Sequence, residues 1–68
     1  MNTTIEYDME DDGRWLAEVV ELPGVMAYGM TVSEAVAKVE ALALRVVAER
    51  LESGEMPGQP FAVTFVAA

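Results

Sequence analysis

Residues 14–29 read R-W-L-A-E-V-V-E-L-P-G-V-M-A-Y-G, and this stretch decides the fold. Trp15, Ala17 and Val19 alternate with Leu16, Glu18 and Val20, the period of two of a half-buried strand. Leu22-Pro23-Gly24 interrupts that run. Proline presets φ at the first central position of a turn and glycine supplies positive φ at the second, which predicts a type II turn. Val25 and Ala27 resume the alternation with Met26 and Tyr28 on the opposite face, and Gly29 ends it.

The pattern extends in both directions. Upstream, residues 3–9 place Ile5, Tyr7 and Met9 on one face and Thr4, Glu6 and Asp8 on the other, a strand with one wet side. Asp11-Asp12-Gly13 then signals a tight hairpin. Residues 3–9, 14–20 and 25–28 are therefore expected to form a three-stranded antiparallel meander. Downstream, Thr31-Val32-Ser33-Glu34 has the spacing of a capping box, in which Thr31 and Glu34 satisfy each other's backbone N–H groups. The helix it opens is expected to stop at Gly54, with Pro57 and Pro60 beyond it. Phe61, Val63 and Phe65 alternate with Ala62, Thr64 and Val66 as a last strand. A right-handed helical crossover lays that strand beside the first and parallel to it, giving the order 3-2-1-4. The expected class is α+β, arranged β-β-β-α-β, with one long helix on one face of the sheet.

In helical projection Val32, Ala35, Val36, Val39, Leu42, Ala43 and Val46 form the stripe expected to cover the sheet. Leu44, Val47 and Leu51 fall outside it. They either extend the core or form a subunit interface, and the interface is favoured. Trp15 is read as a core anchor, because it alternates with Ala17 and Val19.

A chain of 68 residues with no Cys and no His makes one small domain without disulfide or zinc staples, yet it is 53% hydrophobic. Self-association as a dimer or tetramer is expected. The formal charge of −8 repels phosphate backbones, so direct nucleic-acid binding is not expected and a basic protein partner is. The N-terminus has no basic, then apolar, signal-peptide pattern, and no apolar run spans a bilayer. A cytoplasmic protein without membrane association is the expectation.

Asp8-Met9-Glu10-Asp11-Asp12-Gly13 resembles the start of a calcium loop, but Val19 stands where the bidentate twelfth ligand belongs. A solvated hairpin tip is the better reading. Ser33 and Ser53 sit at helix ends with no base to activate them. No catalytic residue, cofactor or metal is expected.

The order W-x-A-E-V-x-E-L-P-G-V-x-A-Y-G-x-T-x-x-E-A, from Trp15 to Ala35, resembles the N-terminal domain of the HicB family, the antitoxins of HicA–HicB toxin–antitoxin pairs. The likeness runs through roughly the whole chain. It implies a partial ribonuclease H-like β-β-β-α-β fold and a partner of the HicA type, a small basic ribonuclease that cleaves messenger RNA. Residues 1–68 are expected to be a single HicB-like domain with no C-terminal DNA-binding domain. The fold implied can host magnesium-binding carboxylates, but without a basic groove or a fourth convergent acid a nuclease is not the reading. Glu6, Asp8, Asp11, Asp12 and Glu18 are the expected acidic contacts, with Met26 and Tyr28 as apolar ones. The alternative is a stand-alone homo-oligomeric scaffold or small-ligand module with no toxin partner.

Overall fold

The computed structural model describes residues 1–68. Four strands, β1 (Asn2–Met9), β2 (Trp15–Val19), β3 (Met26–Gly29) and β4 (Thr64–Ala67), form one mixed sheet, and α1 (Val32–Glu52) connects β3 to β4. The sheet order is β3-β2-β1-β4, with β1/β2 and β2/β3 antiparallel and β1/β4 parallel. The expected α+β class and topology hold. No helix is long and apolar enough to cross a membrane.

Each local signal has a visible cause. Glu10–Gly13 closes by a hydrogen bond from Gly13 N–H to the Glu10 carbonyl at 2.9 Å, with Gly13 at φ 88°. At the second turn Val25 N–H reaches the Leu22 carbonyl at 3.0 Å and Gly24 takes φ 86°, as a type II turn requires. Thr31 caps α1 by accepting from Glu34 N–H at 3.1 Å. The return half of the capping box differs from expectation. The Glu34 carboxylate accepts from Met30 N–H and from Lys38 Nζ rather than from Thr31.

Ile5, Ala17, Val19, Leu22, Val25, Ala35, Val39 and Ala43 make the core. The helix rests on β3 and β2 and scarcely reaches β1. A helix is about 10 Å across and strands are about 4.8 Å apart, so one helix covers about two strands. Tyr7 and Met9 share the helix side of the sheet with Ile5, yet they remain 41% and 58% exposed. Trp15 is half-buried against the core, its ring edge-on to Tyr7 at 6.2 Å.

Two expectations need correction. Val47 is only 5% exposed, buried within a single chain beside Ala35, Val39 and Ala43, and is no interface residue. The buried line steps by four residues, and that line drifts around a 3.6-residue helix, from the Ala35 side toward Val47. The last strand begins at Thr64, leaving Phe61 to Val63 outside it.

Candidate functional site: the open face of the sheet

The side of the sheet away from α1 has no layer over it. Strand alternation puts Thr4, Glu6 and Asp8 of β1, Leu16 and Glu18 of β2, and Met26 and Tyr28 of β3 on that side. The register assembles them into rows. Glu6 stands opposite Glu18, and Glu18 opposite Met26; Asp8 stands opposite Leu16, and Leu16 opposite Tyr28. Five of the seven expected contact residues thus share one surface, drawn from three strands. Met26 and Tyr28 are exposed, while Leu16 and Glu18 are half-buried between their neighbours.

The charge on this face is nearly all negative and mostly unpaired. The chain's ion pairs are Arg14 with Asp12 at 2.7 Å and Lys38 with Glu34 at 3.0 Å. Glu6, Asp8 and Glu18 therefore have no cationic partner. Cross-strand like charges such as Glu6 and Glu18 oppose folding. No three of the carboxylates converge closely enough to hold one metal ion.

Asp11 and Asp12 lie apart from the rows, at the hairpin tip. The Asp12 carboxylate is committed within the chain: it accepts from Arg14 N–H at 3.0 Å and from the guanidinium. These bonds, the backbone one first, hold its carboxyl below the ordinary value. Asp11 is exposed and free. Glu21, at the opposite end of the face, accepts from Thr4 N–H at 2.6 Å and Thr4 Oγ1 at 2.8 Å, which lowers its pKa as well.

Arg14 was missed by the sequence reading. Its guanidinium lies 4.2 Å from the centroid of the Tyr28 ring, a cation–π contact that holds Tyr28 at one end of the face. Beside it, Arg14, Tyr28, Gly29, Met30, Glu34 and Lys38 line an open cleft of about 260 Å³. Both its cations are already paired with carboxylates. Leu16 was also missed as the centre of the surface, although its spacing of two from Glu18 carries that signal.

No protein-family model, no curated protein and no solved structure matches this chain.

An apolar centre of Leu16, Met26 and Tyr28 beside unpaired carboxylates suits a protein surface carrying both cations and exposed apolar groups.

Proposed function

We propose that this chain is a HicB-like antitoxin module that acts without catalysis, in the cytoplasm, by covering the basic RNA-binding surface of a small HicA-type ribonuclease. The observation that carries the reading is the row pattern: Glu6–Glu18–Met26 beside Asp8–Leu16–Tyr28 on a sheet face with no covering layer. The likeness of residues 15–35 to the HicB pattern supports the same partner. Carboxylates on this face compete with RNA phosphates for the toxin's lysines and arginines, and the apolar centre excludes water from the contact. Neutralising Glu6 and Glu18 also removes their mutual repulsion, so a basic partner binds more favourably than either acid alone would allow.

The test is inhibition of a purified HicA-type ribonuclease, with RNA cleavage as the readout. Wild type should inhibit at one-to-one stoichiometry. The double variant Glu6→Lys/Glu18→Lys should lose inhibition at low salt, and Tyr28→Ala should weaken it at any salt. Undiminished cleavage in excess wild-type protein would refute the antitoxin reading. Full inhibition by both variants would move the contact off this face.

A further inference from the structure

The outer side of α1 carries a second periodicity that the core does not use. Ala37, Ala41, Leu44, Ala48 and Leu51 are spaced 4-3-4-3, the alternation of a two-helix seam. All three alanines are exposed, Leu44 is 49% exposed and Leu51 is half-buried. We propose that this seam, together with the uncovered half of the sheet, binds a second copy of this chain, with the two α1 helices antiparallel about a twofold axis.

The spacing selects the antiparallel partner. Shifted to bring Ala41 opposite Leu51 of a second copy, the seam has four layers: Ala41 on Leu51, Leu44 on Ala48, Ala48 on Leu44 and Leu51 on Ala41. Each large side chain meets a small one, the pairing that lets helices interdigitate closely. A parallel pair would set leucine on leucine and alanine on alanine. The flanking charges favour the same arrangement, since Lys38 of each copy falls next to Glu52 of the other.

Shape supports a second copy as the occupant. The chain has a radius of gyration of 12.9 Å and extents of 41 × 19 × 16 Å, against about 11 Å for a compact domain of this length. It buries only 11 of its 68 residues. A right-handed crossover from β3 to β4 turns the Leu44–Leu51 flank of α1 toward β1 and β4. With helices antiparallel along that flank, the bare halves of two sheets face each other, and Tyr7, Met9 and Phe65 of both copies close on one shared core. The side chains covered amount to roughly 500 Å² per copy, and with a polar rim the patch approaches the roughly 800 Å² per partner of stable dimers.

The test is solution mass with designed variants. Wild type should have twice the 7.4 kDa chain mass at tens of micromolar, and added salt should strengthen the association by screening repulsion between like-charged copies. Leu44→Glu should give a monomer that keeps its helical circular dichroism, because position 44 is solvent-facing within one chain. Lys38→Glu and Glu52→Lys should each weaken the dimer, and the two together should restore it. The chain has no cysteine, so Ala41→Cys/Leu51→Cys should cross-link between copies on oxidation whereas Leu44→Cys alone should not. A monomeric wild type up to about 0.1 mM, or a dimer indifferent to Leu44→Glu, would overturn the proposal. Efficient cross-linking through Leu44→Cys alone would overturn the antiparallel register. Toxin inhibition enters none of these readouts, and the proposed partner face lies on the other side of the sheet.

Discussion

Glu6 and Glu18 face each other directly across β1 and β2, on the uncovered side of the sheet, with no cation paired to either. Directly opposed like charges weaken a strand pair by a few tenths to about 1 kcal/mol. The isolated chain carries that cost on its open face.

Removing one of the two charges should therefore stabilise the free protein. Glu18→Gln is expected to raise unfolding stability by about 0.3–1 kcal/mol at low salt, with the gain shrinking as salt rises. Urea titrations at two ionic strengths measure this. An unchanged stability would mean that the repulsion is already dissipated into solvent.

Association with the proposed HicA-type partner should show the signature of electrostatic steering. Raising ionic strength from about 0.05 to 0.5 M cuts the Debye length from roughly 14 to 4 Å, so the on-rate should fall steeply and the off-rate much less. Asp8→Asn/Asp11→Asn/Asp12→Asn should reproduce part of that loss at low salt, chiefly through Asp8 and Asp11, because Asp12 is already neutralised by Arg14. Stopped-flow association reads both effects. Unchanged on-rates would rule out the β1 end and hairpin tip as the approach surface.

Two glycines should fail for different reasons. A Cβ on Gly29 would lie 2.5 Å from Ala35 N, against helix backbone that cannot rotate away. Gly29→Ala should therefore push α1 off β3 and cost about 3 kcal/mol or more, at the upper end for overpacking. A Cβ on Gly24 meets nothing within 4 Å, but the residue sits at φ 86°. Gly24→Ala should cost only about 1–2 kcal/mol, the left-handed backbone penalty. Thermal unfolding of both variants distinguishes them, and the reverse order would contradict the packing of β3 under α1.

Acid should weaken the fold partly through Glu21. Hydrogen bonds from Thr4 N–H and then from its hydroxyl lower the Glu21 pKa below the ordinary value of 4.5. A depressed folded-state pKa adds stability above the unfolded value, and that stability is lost as pH falls through the lower folded value. Glu21→Ala should leave a shallower decline of melting temperature below pH 4.5 than wild type shows. Parallel declines would show that the exposed Thr4 contact adds nothing to stability.

By itself the sequence determined the elements and their order. Period-two alternation, Pro23-Gly24, Asp12-Gly13 and the Thr31 cap are local effects, acting over a few residues of backbone, so they are legible in a string. The handedness of crossovers then led from those elements to the order 3-2-1-4. Alternation also placed Glu6, Asp8, Glu18, Met26 and Tyr28 on one side of their strands. Which residues stand opposite one another depends on register, and only the paired strands set Glu6 against Glu18 and Leu16 between Asp8 and Tyr28. Tertiary packing likewise decided that Val47 is core, since a projection gives the helix its stripe but not which of its residues the rest of the chain covers. The width of one helix against four strands left Tyr7 and Met9 bare. Arg14, just before β2, lies over Tyr28 of β3, and no spacing along the chain encodes that contact.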